Sequence, residues 1–168
     1  MTTIKENGWE RSRDPVGIWE HRGKVALVGR GHSPTDRRWD GEDLTKTLGA
    51  YTMLAAERAM EDAGITIDDV DGVVTSAGGQ GNGAPLSDVW APRPFFDPPY
   101  DSEDGLTSVT AEWLTQQMGL KNVKYTHSQG GPIWNLIGLA AQVVGDGKAS
   151  TVLVAYPNGN LPGRYHQT

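Results

Sequence analysis

The segment Thr126-His127-Ser128-Gln129-Gly130-Gly131-Pro132 gathers residue types whose order could do chemistry. A strand-like stretch from Val123 to His127 precedes it, and Pro132 opens a run with helical spacing, so the pattern predicts strand, tight turn and helix. A serine in such a turn suggests the nucleophile elbow of hydrolases, but that elbow needs glycine two residues before the serine, where Thr126 stands. Ser128 is therefore expected first as a helix cap. The turn nevertheless aims several backbone N–H groups from a helix start at one point, which suits an oxyanion or a thioester carbonyl. The candidate site residues are Gly130 and Gly131 as backbone donors to a substrate, with His127 and Ser128 as the polar side chains beside them. His21, His32 and His166 fall in loops. A lone histidine at a strand end, such as His127, reads first as a hydrogen-bonded structural residue.

Other motifs fall away on inspection. Gly29-Arg30-Gly31 follows an apolar run, yet Pro34 occupies the third glycine position of a dinucleotide fingerprint. The glycines of residues 78–83 lack the Lys-Ser/Thr of a phosphate loop. Asp68, Asp69 and Asp71 sit too close to the next strand to wrap a cation, so they read as a solvated connector. No metal site is expected. The chain has no cysteine, which removes disulfides, thiolate catalysis and cysteine zinc sites.

With 168 residues, 37% hydrophobic, the chain suits one domain, and its low mean hydropathy of -0.47 comes from loops rich in its 22 glycines and 10 prolines. A net charge of -6 with no basic run argues against nucleic acid. No stretch reaches the roughly 20 apolar residues of a membrane span. The polar start, with no secretory signal, fits a cytoplasmic protein.

These elements position the turn. Residues 1–23 show neither helical nor strand period and read as an arm. Strands are expected near 24–29, 72–76, 123–127 and 151–156, and helices near 43–63, 106–118 and 133–144. In the first helix Leu44, Leu48, Tyr51, Ala55 and Ala59 form the apolar stripe; in the last, Leu136, Ile137, Ala140, Ala141 and Val144 do. Alternating strands and helices predict an α/β fold with a mixed, mainly parallel sheet covered by helices. The region 77–102, with Trp90 and Phe95-Phe96, is long enough to be functional or to meet a partner.

Lys24-Val25-Ala26-Leu27-Val28-Gly29, then Ala55-Ala56-Glu57-Arg58-Ala59-Met60-Glu61-Asp62-Ala63-Gly64-Ile65, then Asp68-Asp69-Val70-Asp71-Gly72-Val73-Val74, together resemble the start of a thiolase. Residues 130–153 and the closing stretch 154–168 continue the likeness, which is greatest to the sterol-carrier-protein-x or lipid-transfer-protein branch and its cysteine-free aldolases of steroid side-chain degradation. The resemblance covers residues 24–168 and implies the N-terminal half of that fold, incomplete at its C-terminal end. It places Gly130 where the family's reactive cysteine stands. It also implies a retro-aldol lyase acting on a β-hydroxyacyl-CoA, with backbone donors holding the enolate and no cofactor beyond the coenzyme A that the substrate carries. The acid and base are expected in a second half. A homodimer paired along residues 123–127 and an OB-fold, zinc-ribbon partner docking near Trp90 and Phe95-Phe96 are implied in the same way. The alternative is a non-catalytic acyl-CoA-binding or scaffold subunit.

Thioester exchange through a covalent acyl-enzyme needs a thiolate, and Ser128 is a far weaker nucleophile. The chain incubated with acyl-CoA should keep its intact mass; a stable acyl adduct in the mass spectrum would refute this.

Overall fold

Asp71, a carboxylate beside an apolar strand, ties together the three strands from which the sheet is built. The computed structural model describes residues 4–6, 9–11, 19–35, 43–76 and 109–157. The glycines of 78–83, Trp90, Phe95-Phe96, His166 and the stretch 158–168 lie outside these.

In chain order come strands β1 (Ile4–Glu6) and β2 (Trp9–Arg11), helix α1 (Leu48–Ala63), strand β3 (Gly72–Ser76), helix α2 (Ala111–Gln117), strand β4 (Tyr125–Gln129), helix α3 (Ile133–Gly145) and strand β5 (Val152–Ala155). β1 and β2 form an antiparallel pair with Glu6 opposite Trp9. The arm thus has strand structure that its sequence was not expected to show. The signal was the intervening Asn7-Gly8, a dipeptide favoured in two-residue hairpins.

β3, β4 and β5 form a three-stranded parallel sheet in the order β4-β3-β5. Each connection must therefore cross a face of the sheet, and the helices lie there. Val73 packs with Ala56, Met60, Leu114 and Leu153 on one face. Val74 packs with Leu136 and Ala140 on the other. β3 is buried along its whole length, which explains its continuous apolar run. No helix among the described residues is long and apolar enough to cross a membrane.

Local chemistry sets the helix ends. A short 3-10 turn, Leu44–Lys46, stands where the first helix was expected to begin. α1 starts later because the Thr47 hydroxyl accepts from Ala50 N–H at 3.1 Å. It ends at Gly64, in left-handed conformation, with Gly64 N–H donating to Glu61 O and Ile65 N–H to Met60 O, both at 3.0 Å. α2 is also shorter than expected, because the hydroxyl of Thr110 caps Trp113 N–H at 3.1 Å. In α3 the buried residues are Leu136, Ala140 and Val143, whereas Ile137 is exposed.

One expected strand is not in the sheet. Residues 25–35 run without ladder pairing to the three-stranded sheet. The segment instead lies along α1. Arg30 N–H donates to Asp62 Oδ2 at 2.9 Å, and the Arg58 guanidinium donates to His32 O at 2.7 Å. A Cβ on Gly29 would come within 2.7 Å of the Ala63 Cβ, so glycine is what permits this approach. The apolar stripe of Leu48, Tyr51, Ala55 and Ala59 faces this segment, while the face of α1 buried in the core is Thr52, Ala56 and Met60. Leu27 and Val28 stay 78% and 63% exposed.

The connector before β3 is not simply solvated. Asp69 accepts from Thr66 N–H and Thr66 Oγ1, both at 2.8 Å. Asp71 is buried, and its Oδ1 accepts from Ser150 N–H and Thr151 N–H, each at 2.8 Å. Its backbone carbonyl accepts from Lys124 N–H at 2.8 Å, and Lys124 Nζ stands 3.4 Å from Oδ2. Burial alone would raise the Asp71 pKa, but the Thr151 and Ser150 amides and the Lys124 ammonium outweigh it and hold the carboxyl below its ordinary value.

Asp71→Ala strands two backbone donors and should lower unfolding free energy by about 2–4 kcal/mol. Asp71→Asn retains an acceptor and should cost less. Since the folded-state pKa is depressed, the charge contributes stability above the ordinary value of 3.8 and loses it as pH falls through the folded value. Urea titrations should therefore show the gap between wild type and Asp71→Asn at pH 7 closing towards pH 3.

Candidate functional site

Because β3, β4 and β5 are parallel, their C-terminal ends share one edge of the sheet: Ser76 lies opposite Gln129, and Thr75 opposite Ala155. In open parallel sheets ligands bind outside this edge. The turn 130–132 leaves β4 here and enters α3.

Pro132 stands at the N-cap of α3 and supplies no side-chain acceptor. Asn135 N–H turns back to Pro132 O at 3.0 Å. The first amides of this 13-residue helix therefore lack a side-chain cap. A helix dipole places partial positive charge at the same point. Gly131 has φ +127°, a conformation that glycine adopts readily. Gly130 has no positive φ, and a Cβ added to it would meet nothing within 4 Å. So Gly131 is needed by the turn, whereas bulk at Gly130 would project into open space beside the helix start.

β4 begins and ends two residues later than the sequence pattern suggested, which puts Ser128 inside the strand and not in the turn. Strand alternation then separates His127 from Ser128. His127 stacks on Tyr125, with ring centroids 6.4 Å apart, and its Nε2 lies 3.3 Å from Gln129 Oε1. Tyr125 packs with the cluster under α3. Ser128 looks the other way, towards α2. Its Oγ accepts from Ala111 N–H at 2.8 Å, shares a hydrogen bond with Thr75 Oγ1 at 3.2 Å, and lies 3.5 Å from Glu112 Oε2. The two polar side chains are neighbours in sequence but do not form a pair.

Glu112 and Thr75 are the site residues that the sequence reading missed. Hydrogen bonding from the Thr126 side chain, with smaller help from the Glu112 backbone N–H and Ser128, holds the Glu112 pKa below its ordinary value against the cost of burial. A carboxylate so stabilised is a weaker proton acceptor than an ordinary one, and its contact with the Ser128 hydroxyl is long at 3.5 Å. The Ser128 hydroxyl fastens the start of α2 to β4. Only spatial neighbours reveal this, because Ala111 lies 17 residues upstream.

A cleft of about 490 Å³ opens along β5 between α1, the segment 27–35 and the start of α3. Leu27, Ala55, Ile137 and Leu153 give it apolar walls, with Arg30 and His32 also lining it. Ile133, the first residue of α3, brings the cleft to the glycine turn.

Ser128→Ala removes the acceptor for Ala111 N–H and should lower stability by about 1–2 kcal/mol. Thermal denaturation checks this, and an unchanged midpoint would show that the hydroxyl does not hold α2.

No protein-family model matches the sequence, and no curated protein matches it. Solved structures do match in shape. The priming β-ketosynthase of a polyketide biosynthetic pathway superposes with a TM-score of 0.50 at 17% identity, over 79% of this chain and 41% of that one. The Ltp2-ChsH2(DUF35) aldolase gives 0.48 at 19% identity, over 77% and 26%. OleA of Xanthomonas campestris with bound lauric acid and lauroyl-CoA gives 0.46 at 13% identity, over 77% and 42%. The chain thus spans less than half the length of each. The order of elements, the mainly parallel sheet and the superposition on the ketosynthase make the fold α/β and thiolase-like.

Proposed function

We propose that this chain is the N-terminal part of a thiolase-like lyase that cleaves a β-hydroxyacyl-CoA by retro-aldol reaction. The observation that carries the reading is the uncapped start of α3 behind Gly130 and Gly131, in a chain with no cysteine. A base removes the β-hydroxyl proton, and its electron pair becomes a new carbonyl as the Cα–Cβ bond breaks. The bond electrons pass to the thioester enolate, which is reprotonated at Cα to release acyl-CoA. The backbone amides at the turn face the developing enolate oxygen, and such donors act most strongly in a site closed to water. Acid and base come from the remainder of the protein. Ser128 is committed to α2, so His127 is the side chain this chain offers beside the thioester. The adjoining cleft suits the acyl group, for which a steroid side chain is one choice. No further cofactor takes part.

The outer edge of β4 carries no strand among the described residues, which supports pairing with a second copy across a two-fold axis. An OB-fold, zinc-ribbon partner and a cytoplasmic location rest on the family resemblance and the sequence composition.

A non-catalytic acyl-CoA-binding or scaffold role is favoured by one feature, the separation of His127 from Ser128 on opposite faces of β4. Binding of acyl-CoA by the full-length complex without turnover would select it.

In the complete enzyme, Gly130→Val should cut retro-aldol turnover by a hundredfold or more, on the order expected for a lost oxyanion donor. The melting temperature should hold, because the added side chain meets no protein atom within 4 Å at its Cβ. Turnover near wild type in the folded variant would make the turn purely structural.

A further inference from the structure

Far along α3 from the glycine turn, the chain before the first apolar run folds onto the C-terminal end of the helix. The His21 ring sits directly over Gly145, where any Cβ would collide with it, and the His21 side chain is 12% exposed. Trp19 meets this ring edge-on at 5.4 Å and donates its indole N–H to Gln142 Oε1 at 2.7 Å. Gln142 in turn donates to Asp146 Oδ1 at 2.7 Å. The result is one imidazole nitrogen held between two carboxylates: His21 Nε2 is 3.1 Å from Asp146 Oδ1 and 3.5 Å from Glu20 Oε1.

We propose that Glu20, His21 and Asp146 bind a divalent transition cation of the zinc class. Three observations support it. The three ligand atoms lie within 4.8 Å of one another. A tetrahedral zinc with ligands at about 2.0–2.1 Å separates its ligand atoms by about 3.3–3.4 Å, and the two measured separations from Nε2 bracket that value. One imidazole nitrogen and two carboxylate oxygens form a donor set that zinc accepts without thiolates. The surroundings also suit a cation. Asp146 follows the last turn of α3, where the helix dipole is negative. Gln142 orients the Asp146 carboxylate through Oδ1 as outer partners hold metal ligands, and the Lys148 ammonium, 3.1 Å from Oδ2, offsets only part of the charge of the two carboxylates. The ion would join two segments 125 residues apart in sequence and fix the arm to α3.

The proposal stands apart from the thioester turn, and so does its test. Titrate the metal-stripped full chain with zinc chloride by calorimetry, and with cobalt chloride by visible absorption. One equivalent of zinc should bind saturably, and cobalt should give the d–d bands of a low-coordinate nitrogen–oxygen site. His21→Ala should abolish both signals. Glu20→Gln should weaken binding at least tenfold, and since that side chain is 76% exposed the fold should survive. Absence of saturable binding, or binding unchanged in either variant, would overturn the assignment.

Discussion

Everything at the glycine turn depends on how three strands are gathered at the other end of the sheet, and Asp71 does the gathering. Its side chain takes the amides that lead into β5, and its carbonyl takes the amide that leads into β4. Gly72 therefore faces both Tyr125 and Val152 across the ladder. Side chains alternate along a strand, so a register slip of one residue would exchange the two faces. The brace thus decides that Ser128 meets α2 and that His127 meets the α3 side. A buried carboxylate is costly unless its oxygens are satisfied, and two amides with a nearby ammonium satisfy this one.

The same register separates two kinds of helix start. α2 begins at a capped, occupied position, with Thr110 serving Trp113 and Ser128 serving Ala111. α3 begins behind Pro132, which has no side-chain oxygen to offer. Both helix starts lie at the edge where the strands end, but one is closed by the protein's own hydroxyls while the other lacks such a cap. Chemistry that needs backbone donors belongs at the second.

Much of this was legible in the sequence where local signals agree with tertiary placement. The buried run of β3, the glycine after α1 and the proline before α3 each carry their own physical cause, and the parallel α/β arrangement follows from their order. The failures lie where a partner distant in sequence decides. The apolar run 24–29 has strand composition, but pattern alone cannot say that the segment is held along α1 by Asp62 and Arg58. Val123 has the composition of a strand residue, yet β4 starts two residues later, because the Asp71 carbonyl sets the register by receiving Lys124 N–H. Asp71 itself read as solvent-facing, since a carboxylate in an acidic connector shows nothing of the amides of Ser150 and Thr151. The hydroxyl of Ser128 has the sequence position of a cap for the helix that follows it, but it serves the one before.

The service of Ser128 to α2 bears on the site. A turn after a β-strand offers two resources, side chains and backbone amides, and register constrains them differently. A side chain is directed by strand alternation to whichever face the register dictates, and at Ser128 that face is already filled by α2. Backbone amides at the start of α3 are directed by the helix axis, which the packing of Leu136, Ala140 and Val143 against the sheet holds in place. Those amides keep their aim whatever side chain stands at 127 or 128. They do require that no side chain stand between them and an incoming carbonyl, and Gly130 with Gly131 meets that condition. In a chain without cysteine, backbone polarity is therefore the resource that this turn offers to the thioester proposed as its substrate.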